Sequence, residues 1–331
     1  MGEVQLDVQH KPVFKLYHHD ILSYIQLLYS APNEAKQTVL QNALWWQDAD
    51  GSHSTVIGNA ATAPGEWRRN RVARNSSILE LQGKLMIDPV QVSRPYPENV
   101  SVSLKFFPNI PSKCLVQTGN LNLVLEIIDM VLLVPRIYPK PSLLKQPVQL
   151  PYISSEVIRL MVPAGQRNFG PRTIKVAEHL PRKAYVFVWS ENQLNGSYTA
   201  NRLELNHYNI KKCLLQCNST HLPYWDGWNP DFDNGKYSEL YDGLFKQLEV
   251  DPSTVSVNRR SFPNGFVVFP FDISGKGVSY EYYTGKQSGV LELTLEFSQA
   301  TANNLAVMVV LENERVLSFN KNREFTDTAP K

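Results

Sequence analysis

The sequence predicts an all-β protein made of two tandem antiparallel β-sandwiches, and three runs toward its C-terminal end carry this prediction most clearly. Gly265–Phe271 (GFVVFPF) is an apolar run that ends at Asp272. Val290–Phe297 (VLELTLEF) alternates apolar and polar residues without interruption, which is typical of a strand with one buried face. Leu305–Leu311 (LAVMVVL) is apolar throughout, as expected for a strand that is covered on both faces. Short runs of this kind, separated by Gly/Asn turns, indicate antiparallel sheets packed as a sandwich.

Length and composition describe an ordinary globular protein of about two domains. The chain has 331 residues, 43% of them hydrophobic, a mean hydropathy of −0.28 and a net charge of +2. Because the charge is small, no global field favours nucleic acid or a membrane surface as a partner. Three cysteines are too few for a disulfide framework and favour a reducing compartment. The longest apolar segment, Leu121–Val134, contains Glu126 and Asp129 and is shorter than the ~20 residues of a membrane span.

The first half is predicted to contain one helix, one long loop and four strands. Leu16–Tyr29 has helical spacing, with Ile21, Ile25 and Leu28 on one face. A long loop rich in Gly, Ala and Ser is predicted at 48–75. Alternating or apolar runs predict strands at Val4–Val8, Ile78–Asp88, Val100–Phe106 and Leu121–Val134.

The stretch from Pro135 to Pro151 is a predicted domain boundary because it contains five prolines, at positions 135, 139, 141, 147 and 151. This density excludes a helix and a central strand alike. We therefore predict one sandwich over residues 1–140 and a second over residues 141–331. The second half is predicted to form a helix at Tyr237–Leu248 and, besides the three runs above, strands at Glu156–Val162, Ala184–Trp189 and Leu203–Cys217.

The two halves also match in sequence, which indicates an internal repeat. Each contains a helix, then a strand that ends in Asp, then an alternating strand, then a strand rich in Leu and Val. Asp272 lies 184 positions after Asp88, and Leu305 lies 184 positions after Leu121. A repeat of this length predicts two copies of one domain, and eight-stranded jelly rolls are a common way to close such sheets. The predicted fold class is therefore a double jelly roll with a short helix in each sandwich.

A set of short motifs runs in order along nearly the whole chain. In the first half these are Tyr24–Tyr29 (YIQLLY) with Trp46 and Asp48, and Leu81–Leu85 (LQGKL) leading to Asp88. In the second half they are Leu194–Tyr198 (LNGSY) leading to His207, Pro230–Phe232 (PDF) through Tyr237 to Phe245, Pro263–Phe266 (PNGF) leading to Asp272, and Asn320–Arg323 (NKNR). Together they resemble the hexon-like double jelly-roll major capsid proteins of Polinton (Maverick) elements and the related adintoviruses.

This resemblance implies a trimeric capsomer whose six jelly rolls present a pseudo-hexagonal outline and tile an icosahedral shell. It implies that the chain binds copies of itself and a minor capsid or penton protein, contacts nucleic acid only non-specifically, and needs no cofactor. It also implies a place in the virion capsid, with assembly in the cytoplasm or nucleus of the host rather than secretion. The family carries further strands of the first jelly roll upstream of the position of Met1, so we expect the first sandwich to lack its N-terminal strands.

Four arginines, Arg68, Arg69, Arg71 and Arg74, form the only basic cluster in the sequence. Arginine binds phosphate and carboxylate groups well, so the functional interpretation is contact with packaged nucleic acid or an acidic loop of a neighbouring subunit. The alternative is a solvated loop without a partner.

Two tryptophans, Trp225 and Trp228, lie with Tyr224 around Asp226-Gly227. If exposed, these rings can stack on a sugar or anchor a neighbouring subunit. The alternative is a loop that is held against its own sandwich.

Asp88 and Asp272 occupy equivalent positions at the ends of predicted strands. A carboxylate there can accept backbone N–H groups of the following turn, so we predict a structural role for both residues.

Metal and catalytic motifs are missing from the sequence. Cys213, Cys217 and His221 have suggestive spacing, but on one straight strand the two thiols would be roughly 13 Å apart, too far to share a zinc ion. No G-x-S-x-G, H-E-x-x-H or P-loop pattern occurs. The sequence therefore favours a structural capsid protein, with a carbohydrate-binding module using Trp225 and Trp228 as the alternative and a hydrolase on the same scaffold as a third hypothesis.

Overall fold

The computed structural model describes residues 2–51, 53–54, 61, 64–75, 77–92, 94–117, 122–138, 146–174, 179–248, 251–274 and 288–328. The strands are β1 (Glu3–Val8), β2 (Lys11–Tyr17), β3 (Val102–Phe107), β4 (Val148–Val162), β5 (Asn168–Ile174), β6 (Lys183–Ser190), β7 (Ile210–Cys217), β8 (Thr220–Leu222), β9 (Phe269–Asp272), β10 (Leu291–Phe297), β11 (Leu305–Phe319) and β12 (Phe325–Thr328). The helices are α1 (His19–Ser30), α2 (Asn33–Gln37), α3 (Pro64–Ala73), α4 (Pro111–Cys114), α5 (Glu191–Asn195) and α6 (Ser238–Leu248). Short 3-10 helices span Val39–Ala43, Asp88–Val90 and Pro252–Thr254.

The described strands form three sheets, and all their pairings are antiparallel. One sheet has the order β2-β1-β3, and a second has the order β5-β10-β7-β8. The third has the order β12-β11-β6-β9, with β4 on the other edge of β11. The predicted all-β class is therefore confirmed.

The larger core lies between the second and third sheets. Strand β10 contributes Leu291, Leu293, Leu295 and Phe297, while its polar residues are only half-buried. In strand β11 every residue from Leu305 to Leu311 is buried and belongs to this core. The strand is central in its sheet, with β4 on one edge and β6 on the other. These two strands confirm the alternating and the fully apolar patterns seen in the sequence. Helix α1, from the first half of the chain, packs its apolar face into the same core.

A smaller core forms under the sheet of β1, β2 and β3. Its centre consists of Val4, Leu6 and Val8 of β1, together with residues of β2. The far ends of β4 and β11 reach the same core through Leu150 and Phe319. Each of these strands is 15 residues long and would span about 50 Å at ~3.3 Å per residue. The two cores are thus joined along one continuous pair of strands.

Two predicted strands of the first half are wrong. Residues 78–87 form no strand, and Asp88 begins a 3-10 helix instead of ending a strand. Residues 122–134 also form no strand, although their composition favours one. In both cases the described part of the chain offers no neighbouring strand to pair with, and an apolar run becomes a strand only when its backbone groups find a ladder. The 184-residue offset therefore relates elements that have different structures here.

Two further expectations need correction. The predicted loop at 48–75 contains helix α3, which the sequence suggested poorly because its residues are mostly polar. The proline-rich boundary contains the start of β4, and Pro151 pairs with Val316 in it. A proline is tolerated at that position because β4 is an edge strand, bonded only to β11 in the described chain. Residues 139–145 of the boundary, and 275–277 of the turn after Asp272, lie outside the described residues.

Candidate functional site

Helix α3 separates the four arginines into one structural residue and three exposed ones. Arg69 is partly buried, donates from Nη1 to the Trp46 carbonyl at 2.7 Å and forms an ion pair with the Asp48 carboxylate. Gly65 allows this contact, since a Cβ at that position would lie 2.7 Å from the Gln47 carbonyl oxygen. Burial lowers the pKa of Arg69 from its ordinary value. Arg69 therefore holds the helix to the chain before it and is not a free cation.

The remaining arginines, Arg68, Arg71 and Arg74, are exposed. The Arg71 guanidinium lies 4.8 Å from the centre of the Trp67 ring, a distance typical of a cation–π contact. Arg68 borders a cavity of about 200 Å³ that Lys36, Trp45 and Trp46 also line. Lys36 is occupied there, because its Nζ donates to the Leu28 carbonyl at 2.7 Å at the end of α1. Arg68 and Arg71 thus lie on α3, and Arg74 directly follows its last residue.

The two tryptophans of the aromatic loop have opposite environments. Trp228 is fully buried, its Nε1 donates to the Pro270 carbonyl at 2.8 Å, and its backbone exchanges two 2.9 Å hydrogen bonds with Cys213. Gly243 of α6 lies against the ring, and a Cβ there would collide with it. Trp225, three residues earlier, is 83% exposed. The loop is therefore held in place by Trp228 and presents a single tryptophan to solvent.

Asp272 and Asp88 make different contacts. The Asp272 carboxylate accepts hydrogen bonds from the backbone N–H of Ser274 at 2.9 Å and from its hydroxyl at 2.6 Å, as the turn hypothesis requires. Asp88 instead accepts from the backbone N–H of Ser155 in β4, also at 2.9 Å. Asp88 thus fastens the first half of the chain to β4, a contact between residues 67 positions apart.

The environment of Asp88 predicts a pH-dependent effect on stability. Burial raises the pKa of its carboxyl group to about 6, with a further contribution from Glu312. The folded state therefore binds this proton more tightly than the unfolded state, so stability falls as pH rises from about 4 to about 6 and stays reduced above that. Asp88→Asn should keep an acceptor for Ser155 and raise the free energy of unfolding by about 1–3 kcal/mol at pH 7.5, with a clearly smaller gain at pH 4.5, where the folded-state carboxyl is still mostly protonated. Denaturant titrations at the two pH values measure this difference. An equal effect at both would contradict it.

A buried charged cluster that sequence reasoning did not identify connects helix α1 to the larger sandwich. The Arg202 guanidinium is almost fully buried, 4.7 Å from the centre of the Trp189 ring. It lies 3.1 Å from the Asp20 carboxylate and 3.0 Å from Nδ1 of His18. Burial and the Arg202 charge lower the pKa of His18 to about 4, so near neutral pH its ring is uncharged and Nδ1 accepts from the arginine. The partners lie more than 180 positions apart in sequence, so no local pattern signals the cluster.

The zinc hypothesis finds no support in the geometry. Cys213 is buried in β7, where burial raises the pKa of its thiol, and His221 lies in β8 with Nδ1 2.6 Å from the Trp225 carbonyl oxygen. Within the described ranges, no three His, Cys, Asp or Glu side chains are placed to hold a metal ion. Across the same part of the chain, no helix has the length and apolar character needed to cross a membrane.

Comparison with known proteins shows similarity to solved structures in fold but not in sequence. No protein-family model matches the chain, and no curated protein matches it. A chain from the 3.5 Å cryo-EM structure of the Sputnik virophage matches with a TM-score of 0.54 and 13% identity, over 99% of this chain and 74% of that one.

Two further matches are weaker. A chain of a quasi-atomic model of the PBCV-1 virus capsid has a TM-score of 0.45 and 10% identity, over 100% of this chain and 84% of that one. The mavirus major capsid protein has a TM-score of 0.41 and 12% identity, over 99% of this chain and 77% of that one. The Sputnik likeness, which spans both cores, shows that this chain has a tandem jelly-roll fold.

Proposed function

We propose that this chain is a structural capsid protein, without catalytic activity, whose copies assemble into a viral shell. The likeness in fold to a Sputnik virophage chain, over nearly the full length, is the observation that carries this proposal. The architecture supports it, because the β4–β11 pair joins two cores. The described groups that interact most closely, at Arg69, Arg202 and Trp228, hold the fold together.

We further propose that the shell is of the Polinton or adintovirus type, from an element or its relic in a host genome. Each capsomer is then a homotrimer, with one jelly roll over residues 1–140 and one over 141–331 in each copy. The trimers tile a lattice whose other partner is a minor capsid or penton protein. Arg68, Arg71 and Arg74 are the candidate contacts for packaged nucleic acid or a neighbouring acidic loop, and Trp225 is a candidate anchor for a neighbour. Assembly takes place inside the host cell.

Light scattering coupled to size-exclusion chromatography tests self-assembly. The expected mass is three times the 37.6 kDa of one chain, and it should persist on dilution because an obligate interface buries more than ~2,000 Å². Wild type is run beside Glu239→Gln, a change at an exposed side chain of α6 to which the proposal assigns no contact, and the mass of this variant should be unaltered. A monomer at every concentration would contradict the proposal.

Carbohydrate binding is the second candidate, favoured by the exposure of Trp225. Because Trp228 is buried, a sugar would have one ring to stack on instead of two. A glycan array probed with wild type and Trp225→Ala separates the candidates. The capsid proposal predicts that no glycan depends on Trp225 for binding. A glycan that binds to wild type but not to Trp225→Ala would favour the binding module.

A further inference from the structure

Residues 122–138 form an extended apolar segment that lies exposed on the protein. Apart from the half-buried Leu123, its large apolar side chains are between 47% and 90% exposed, and they are Val124, Leu125, Ile127, Ile128, Met130, Val131, Leu132, Leu133, Val134, Ile137 and Tyr138. No other described stretch of similar length exposes so many. Monomeric proteins rarely leave such a continuous apolar surface open, so its exposure indicates a contact with another polypeptide.

The backbone of this segment is as open as its side chains. Residues 122–138 belong to no described strand, and among the described residues none of their backbone groups bonds to another strand. The chain on either side is fixed: Gln117 donates its N–H to the Tyr198 carbonyl at 2.8 Å, and Val148 pairs with Phe319. The segment is therefore a strand-forming sequence whose hydrogen-bonding groups have no ladder among the described residues.

A complementary edge exists on the sheet of the smaller core. Strand β3 pairs with β1 on one side, and the described chain supplies no strand on its other side. The opposite edge of this sheet, β2, contains Lys11, Pro12 and Lys15, the residue types that blunt an edge against further pairing. Strand β3 has no proline and only one charge, Lys105, and it leaves Val102 and Phe107 exposed. The sheet is thus closed to addition at β2 and open at β3.

Charge and apolarity select one antiparallel register between the two. Asp129 is the only charge from Ile127 to Val134, and Lys105 is the only charge in β3. Placing them opposite each other sets Ile128 beside Phe106 and Met130 beside Leu104 on the inner face. A shift of one residue would instead place Asp129 against the apolar inner side of Leu104 or Phe106, where a carboxylate is costly. Opposite charges directly across a sheet stabilise the pairing of its strands.

We propose that residues 127–132 of one copy of this chain add to β3 of a second copy as an antiparallel strand, with Asp129 opposite Lys105. Within the described part of one copy the two stretches are unpaired, so each copy offers one donor strand and one acceptor edge. Such a contact is heterologous, and it closes into a ring when each copy donates to the next. The exchange rests on the exposed segment and on the β3 edge, and it holds whether or not the rings go on to form a shell.

Disulfide trapping tests the register between copies. In this register Ser103 faces Val131, and both side chains are exposed, so cysteines there leave the fold intact. Ser103→Cys and Val131→Cys are made as separate proteins in a background with Cys114→Ser and Cys217→Ser, then mixed and oxidised. We expect a disulfide-linked heterodimer on a non-reducing gel. Ser103→Cys mixed with Leu132→Cys, which points to the other face, is the matched control and should give none.

Variants of the segment test its role in association. Ile128→Lys places a charge beside Phe106 and should abolish the oligomer, whereas Val124→Lys, beyond the end of β3, should preserve it. Equal crosslinking of the two cysteine mixtures, or an oligomer that survives Ile128→Lys, would overturn the proposal. A disulfide that forms within one chain of the Ser103→Cys/Val131→Cys double variant at high dilution would also overturn the proposal. The same holds if residues 122–138 become buried only when a different polypeptide is added. A trimer by light scattering without the Ser103–Val131 disulfide would reject the strand exchange while leaving the capsid proposal standing.

Discussion

Trp228→Ala is expected to lower the free energy of unfolding by about 3–5 kcal/mol, the range for removing a fully buried Trp or Phe side chain. The ring fills the space between β7 and α6, against Gly243, and its loss would leave a cavity. It would also leave the Pro270 carbonyl without its 2.8 Å donor. Urea denaturation of the purified variant measures the change.

Trp225→Ala is the matched control for this prediction. The same side chain is removed from the same loop, but Trp225 is 83% exposed, so the expected change is within about 0.5 kcal/mol. Similar losses for the two variants would contradict the division of this loop into one structural and one exposed tryptophan.

Arg202→Met is expected to lower the free energy of unfolding by about 3 kcal/mol. The substitution keeps much of the volume but leaves the Asp20 carboxylate without its counter-ion, and an unpaired charge in such a site typically costs about 3–5 kcal/mol. The lower end applies because the Asp20 side chain is 18% exposed. Arg74→Met, at an exposed arginine, should change stability little.

Two further readouts separate charge from packing at this cluster. Asp20→Asn in the Arg202→Met background removes the stranded charge and should recover most of the lost stability. The pKa of His18, about 4 in wild type, should rise in Arg202→Met because a neighbouring positive charge is removed, and NMR titration of the ring would report it. Failure of the second substitution to rescue, together with an unchanged His18 pKa, would contradict the proposed ion pair.

Strand patterns predicted the second sandwich well because its local signals agree with its packing. In β10 and β11 the buried and exposed positions follow directly from alternation, or its absence, and the neighbours that cover those faces are part of the described chain. Helix α6 was predicted for the same reason, since its apolar positions keep a helical period. Here the residue pattern and the tertiary environment favour the same element.

The first half was harder to predict because its strands depend on partners distant in sequence, as in the pairing of β1 with β3. The composition of 122–134 favours a strand, but a strand also needs a neighbouring strand to pair with, and the described part of the chain supplies none. Both cores also contain residues from both halves of the chain: α1 packs into the larger core, and the ends of β4 and β11 pack into the smaller one. A local sequence pattern does not predict such long-range packing. Helix α3 was missed because its mostly polar sequence has no apolar stripe.

Candidate residues could be identified by type but not by environment. The sequence grouped Arg69 with three other arginines and Trp228 with Trp225. In the structure Arg69 is partly buried and the other three arginines are exposed, and Trp228 is buried while Trp225 is exposed. Which member of a cluster points inward depends on long-range contacts such as Arg69 with Asp48 and Trp228 with Pro270. The Arg202 cluster joins residues more than 180 positions apart and is therefore recognisable only in the folded structure.

Cryo-electron microscopy of the purified chain tests the capsid proposal most directly. The account predicts particles with threefold symmetry and six lobes, two from each copy, in which every jelly roll forms one corner of a pseudo-hexagon. At higher concentration these particles should associate edge to edge into sheets or closed shells. Single two-lobed particles at every concentration, with no threefold class, would contradict it.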